Sequence, residues 1–254
     1  MVEIEDIVDM NSLEEWLSCQ SQRFSLVVAY RSAMRGLPLY INWSFDAGLK
    51  FGGSGSLVSM LRSLLISNAI VFETMSELTR KYQHAAKYAL RSADHNLSAC
   101  HQDALGSMSD FVSGFADASD STIFAAESYA CGSDFDISSV AAGAVVNASE
   151  YTPNAWGAVK KECKYLKNGG DDQILPLWPQ KLNPVSDEWE IAKGLLELDD
   201  ANWSFWVKWY ESALNGVPIN HSVLERVSLL PTDAWEKNST HLNEVIAEIA
   251  TVSK

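Results

Sequence analysis

The chain has 254 residues, 47% of them hydrophobic, with 33 acidic against 19 basic side chains and a net charge of −14. That length and apolar content exclude a disordered chain and leave room for one large core or two smaller ones. The acidic field repels phosphate backbones and anionic bilayers, so the composition points away from nucleic acid and from membrane surfaces.

Helix signals run from end to end. Ser12-Leu13-Glu14-Glu15 reads as a capping box that opens a short helix through Trp16 and Leu17. Ser21 is a candidate cap for the next helix, which carries Phe24, Val27, Val28 and Met34; Gly36 and Pro38 are expected to end it. Phe51-Gly52-Gly53-Ser54-Gly55-Ser56 reads as a connector. From Leu57 to about Arg91, apolar residues recur at threes and fours, which predicts one long helix. Its most apolar run, Leu57 to Phe72, carries Arg62, Ser63 and Asn68 and is too short to span a bilayer comfortably, so it reads as a buried helix.

Another long helix is expected up to Cys131-Gly132, and one more beyond Asp134 or Asp136 as its cap. Thr152-Pro153 looks like an N-cap with proline at the first helical position. The prolines of residues 171 to 185 forbid a regular helix there and favour an extended segment laid on the body. Ser186 or Asp187 opens a helix, and a second runs from about Asp200 to Leu214, stopped by Gly216 and Pro218. Short helices follow from Ser222 to Leu229 and from Thr240 to about Val252. The reading is an all-α multi-helix bundle of roughly eight to ten helices. A soft boundary near Glu150 divides it into residues 1–150 and 151–254, two subdomains able to share one core.

The four cysteines, Cys19, Cys100, Cys131 and Cys163, form no metal spacing and read as free thiols. The acidic start, Met1-Val2-Glu3-Ile4-Glu5-Asp6, is unlike a signal peptide, and a cytoplasmic protein is expected. Between Arg91 and Lys160 no basic residue occurs, while nine acidic ones do, among Ala, Ser and Gly. Small side chains bury little area each, so this part is expected to be the less stable. Within it Asp103, Asp110 and Asp117 recur every seven residues on one helical face. That face is either solvated or a docking surface for a basic partner; carboxylates about 10 Å apart do not chelate one ion.

No catalytic, cofactor or metal motif emerges. Asp94, His95, Cys100, His101 and Asp103 look metal-like only as a list, because His95 and His101 diverge on a continuous helix. Glu73 and Glu77 lie one turn apart, but no Glu-x-x-His follows. Gly52-Gly53-Ser54-Gly55-Ser56 lacks the lysine of a phosphate loop. Neither His84, His221 nor His241 belongs to a recognisable catalytic arrangement.

The aromatic block is the densest feature. Trp203, Trp206, Trp209, Tyr210, Ala213 and Leu214 share one side of a helix, with Phe205 and Val207 at its margins. An apolar arc of roughly 200° exceeds the roughly 100° of an ordinary surface helix. The helix is therefore buried on more than one side, or offers one side to a partner. A tryptophan-rich core is the plainer alternative to an interaction hot spot. Trp178, between prolines, is the best single candidate for an exposed anchor.

The same residues carry a resemblance. Trp203, Phe205, Trp206, Trp209, Tyr210, Leu214 and Gly216 fit a W-x-F/V-W-x-x-W-Y-x-x-x-L-x-G block, and Leu230, Pro231, Trp235, Glu236, Asn243, Ile246, Ala247, Glu248 and Ile249 fit an L-P-x-x-x-W-E…N-x-x-I-A-E-I tail. Together with Leu177-Trp178-Pro179, Leu13-Glu14-Glu15-Trp16-Leu17 and Arg35-Gly36-Leu37-Pro38, they resemble a set of uncharacterised bacterial helical proteins. The resemblance implies a bacterial cytosolic origin and transfers no catalytic residue. The leading expectation is a non-catalytic accessory or sensing subunit that acts through another protein or through self-association, with phage defence as an analogy. The competing expectations are a small-ligand module with an apolar pocket between helices and an enzyme with dispersed catalytic residues.

Overall fold

The computed structural model describes residues 2–46, 54–73, 81–92, 107–179 and 183–252. The chain is all-α, with no strand among the described residues. After a 3₁₀ turn, Ile4–Asp6, come α1 (Met10–Ser18), α2 (Gln22–Asp46), α3 (Ser54–Phe72), α4 (Ser107–Ala130), α5 (Ser138–Glu150) and α6 (Ala155–Lys167). The C-terminal part adds α7 (Ser186–Leu198), α8 (Ser204–Asn215), α9 (His221–Ser228), α10 (Thr232–Trp235) and α11 (Ser239–Val252). No described helix is long and apolar enough to cross a membrane.

Helix α2 is the central post. It runs on through Gly36 and Pro38, where the sequence predicted its end. Pro38 removes one backbone bond, at about 3 kcal/mol in a helix interior. Tyr40 and Ile41 beyond it are both buried, at about 1.5–3 kcal/mol for a large apolar side chain, and that burial carries the helix past the proline. Gly36 is not a cap; a Cβ there would stand 3.0 Å from the Phe115 ring, so the glycine lets α4 approach α2. Helices α3, α4 and α5 pack around this post, and α7 leans on its C-terminal half. The alanine-rich faces of α4 and α5, including Ala116, Ala125, Ala141 and Ala144, lie in the middle of the bundle. Their small side chains allow these helices to approach closely.

Other boundaries shift for local reasons. Helix α1 is capped by Asp9, one turn before the predicted box, and Ser12 completes the reciprocal pair with the Asp9 backbone N–H. Thr152 does not cap α6; its hydroxyl donates to the Ala148 carbonyl at 2.7 Å and closes α5, so α6 begins only after Asn154, which is left-handed at φ 58°. The predicted continuous helix from 57 to 91 is interrupted among the described residues: α3 stops at Phe72, Glu73 bends, and Tyr82 is a turn between helical Lys81 and a helix over 83–92; residues 74–80 lie outside the described residues. Helix α3 also starts at Ser54 rather than Leu57; Gly52 and Gly53 lie outside the described residues.

One apolar cluster runs from Ile4 to Ile246 and draws residues from both sides of position 150. The segment after α6 is non-helical over 171–179, as its prolines require, but it is threaded into the body. Leu177 is fully buried and its N–H donates to the Ala213 carbonyl at 2.9 Å. The end of α8 fits beside this segment. Gly216 caps α8 in the left-handed region (φ 64°), and a Cβ there would run into the Ile174 carbonyl oxygen and approach the Pro176 nitrogen at 2.9 Å. Gly216→Ala is therefore expected to destabilise the protein by about 1–3 kcal/mol, read as a lower urea midpoint at unchanged slope.

Candidate functional site

The aromatic residues proposed as contact points lie inside. Trp203, Trp206, Trp209 and Tyr210 are each about 2% exposed or less, and Trp178, expected at the surface, is only 5% exposed. Three of the indoles find acceptors: Trp203 on Asp199, Trp206 on Asn243 and Trp209 on Asn68. Arg35 stacks over Trp178, 5.6 Å from its ring centre, which explains why a tryptophan between prolines turns inward. Asp117 is half-buried and engaged with neighbours. Asp103, the Asp110 side chain and the Asp94–Asp103 group of histidine, cysteine and aspartate lie outside the described residues. Cys19, Cys131 and Cys163 are free thiols.

A buried charge network lies under Trp178. Arg31 and Arg35, one turn apart on α2, both bond Glu162 Oε2 of α6, Arg31 through Nε at 2.9 Å. Arg31 also donates to the Pro176 carbonyl (2.8 Å) and Arg35 to that of Leu177 (3.0 Å), fastening the proline-bearing segment to α2. Burial pushes the Arg35 guanidinium down and Glu162 pulls it back up. Burial and Glu162 both push the Cys163 thiol up, which makes it a poor nucleophile. The guanidinium donors are aimed at protein acceptors, and the hollow that reaches Arg31 beside Asp172 is only about 30 Å³, so the network organises structure.

The other concentration of charge does open on a cavity. A cleft of about 600 Å³ lies between helix 83–92, the middle of α3 and the α9–α10 turn, and a second hollow of about 250 Å³ adjoins it around the same Arg62. One wall is a face of helix 83–92, with His84, Tyr88 and Arg91 spaced by four and three residues, and Lys81 just before the Tyr82 turn extends it. The His84 and Tyr88 rings lie 4.5 Å apart, and Arg91 lies 5.6 Å from the Tyr88 ring. The floor is Arg62 from α3, its guanidinium 5.0 Å from the ring centre of Trp235, whose indole N–H is held by the Leu230 carbonyl. Arg62 is 4% exposed, and its Nε has no hydrogen-bond partner among the described residues. Burial lowers its pKa to about 10, and the nearby Glu236 carboxylate works against that shift. The guanidinium therefore stays charged at neutral pH. Asp233 and Glu236 sit on the opposite rim. In a chain of net charge −14, this is a cleft whose floor and one wall are basic.

Beside Lys81 lies a set of possible metal ligands. Glu73, at the end of α3, meets His221 and Glu225 of α9, with ligand atoms all within 4.8 Å of one another. The Lys81 ammonium lies 2.9 Å from Glu225 and 3.7 Å from Glu73. Sequence reasoning named Glu73 but sought its partner one turn away at Glu77, which lies outside the described residues. It also passed over Arg31, Arg35 and Glu162. The available signals were two arginines four apart in an otherwise apolar stretch, and the three-four-three run of Lys81, His84, Tyr88 and Arg91.

No family model, curated protein or solved structure matches this chain. Residue roles therefore rest on the geometry above.

Proposed function

We propose that the protein is a binding module for a small, flat organic monoanion, taken up in the Arg62 cleft. One observation carries the reading: a guanidinium more than nine-tenths buried, facing a cavity, with an Nε–H that no described residue accepts. An unpartnered buried donor costs about 1–3 kcal/mol, and a ligand carboxylate or phosphate oxygen removes that cost while adding a charge-assisted bond. Trp235 and Tyr88 line the same hollow as Arg62, and their rings favour a planar ligand body. Glu225 already engages Lys81, and Asp233 and Glu236 line the rim, so the cleft has one uncommitted buried cation rather than the cage a polyanion needs. The volume is in the range of small-ligand pockets.

The protein-contact reading drew on the lack of a catalytic motif, on the over-wide aromatic helix with Trp178, and on the acidic segment with Asp103, Asp110 and Asp117. With the aromatic side chains inside, the weight of the functional argument moves to the cleft. Calorimetric titration with benzoate, using benzamide as the uncharged control, tests the proposal. Benzoate is expected to bind and benzamide not to. Arg62→Met is expected to weaken benzoate by about 10- to 100-fold, the worth of a charge-assisted hydrogen bond of about 1.5–3 kcal/mol. Equal binding of the two probes, or an Arg62→Met affinity matching the wild type, contradicts it.

A further inference from the structure

Glu73, His221 and Glu225 do not line the anion cleft, and they adjoin it through Lys81. His221 and Glu225 stand at i and i+4 on α9, one turn apart on a single face, the spacing that lets two side chains of one helix reach one ion. Glu73 enters from the end of α3, and its side chain is 4% exposed. The His221 Nε2 to Glu73 Oε1 distance is 3.5 Å. Two ligand atoms on a tetrahedral ion with bonds of about 2.0–2.1 Å are about 3.3 Å apart, so this edge is nearly formed. Imidazole with two carboxylates is a donor set that suits zinc and its neighbours, with a fourth position left to solvent. What stands among these atoms is Lys81: its Nζ reaches both carboxylates, and its side chain is about one-third exposed. With its stem one-third exposed, an outward rotamer takes the ammonium into water.

We infer that Glu73, His221 and Glu225 form a divalent-cation site that the Lys81 ammonium holds closed. With Lys81 in place its ammonium occupies the carboxylate oxygens; with Lys81 turned out both carboxylates and the imidazole nitrogen face the incoming ion. Lysine and metal therefore compete for the same oxygens.

The test is calorimetric titration of the full chain with Zn²⁺ alone, comparing the wild type, Lys81→Met and His221→Ala. His221 is half exposed, so its removal is expected to leave the fold intact. The expected result is one Zn²⁺ per chain, bound at least about tenfold more tightly by Lys81→Met. His221→Ala is expected to weaken binding by about 10- to 100-fold or more, since even groups that only orient a metal ligand are worth that much. Zn²⁺ should also raise the Tm of Lys81→Met more than that of the wild type, because the ion restores the charge balance that the ammonium supplied. Binding unchanged in His221→Ala, which thiol ligation would give, overturns the site. No binding by either wild type or Lys81→Met overturns it as well. Equal affinity of those two proteins overturns the closure by Lys81. If Lys81→Met does not fold, the comparison of His221→Ala with the wild type decides.

Discussion

Glu162→Gln is expected to lower the free energy of unfolding by about 3–5 kcal/mol, the cost of stranding buried charge. Glu162 is fully buried and is the only carboxylate that both Arg31 and Arg35 bond among the described residues. Glutamine keeps the shape and one oxygen acceptor but removes the charge that offsets two guanidiniums, which are 5% and 0% exposed. Arg35 already carries a desolvation penalty, visible as a lowered pKa that Glu162 partly restores. Replacing the whole cluster with apolar residues, often harmless for a buried ion pair, is not expected to be harmless here. The arginines also donate to the carbonyls of Pro176 and Leu177, and those acceptors would be left unpaired beside a segment that has no secondary structure of its own. Urea unfolding followed by far-UV circular dichroism reads the loss. Against a total of about 5–15 kcal/mol for an ordinary domain, it removes a large fraction of the stability. A loss below about 1 kcal/mol would mean that water or relaxation compensates the pair, and that the proline segment is held mainly by Leu177 and Trp178.

What the sequence made legible was whatever depends on one element at a time. The end of α8 at Gly216, the start of α7 at Ser186 and the wide apolar arc of α8 are local properties, and each is found where periodicity and turn chemistry put it. Burial of Trp206 and Trp209 on different neighbours, Asn243 of α11 and Asn68 of α3, is the physical meaning of that arc. Illegible was whatever depends on elements meeting. Pro38 and Gly36 are strong breakers in isolation, yet inside α2 they are outweighed by burial and by the approach of Phe115. Thr152 had every local mark of a cap, but its hydroxyl was claimed by α5. The cleft draws Arg62 from α3, Tyr88 from helix 83–92 and Trp235 from α10, and the Glu73 carboxylate finds His221 only because α9 packs on α3. No spacing rule reaches across such distances, and the bend at Glu73 was hidden by apolar residues that recur at helical spacing on both sides of it.

Trp206→Ala couples the aromatic helix to the cleft, and its expected cost is about 3–5 kcal/mol, that of deleting a large core side chain. The indole is 2% exposed, and its N–H donates to Asn243 Oδ1 at 2.9 Å. Asn243 Nδ2 in turn holds the Ala201 carbonyl just before α8, so truncation leaves a cavity and also an orphaned amide oxygen. Trp206→Phe separates these losses: it retains most of the packed ring but not the donor, and is expected to cost about 1–3 kcal/mol. Trp206 also packs edge-on against Trp209, 5.8 Å between ring centres, and against Trp235 at 6.4 Å. Trp235 is the ring on which Arg62 rests. A cavity behind Trp235 lets that ring move and takes Arg62 with it. Trp206→Ala is therefore expected to lose benzoate affinity in protein that remains folded at low temperature, although residue 206 does not line the cleft. Chemical denaturation and calorimetry on the same preparation read both effects. Lost stability with undiminished benzoate affinity would mean that the position of Arg62 is set by α3 alone, and that Trp235 is only a wall of the site.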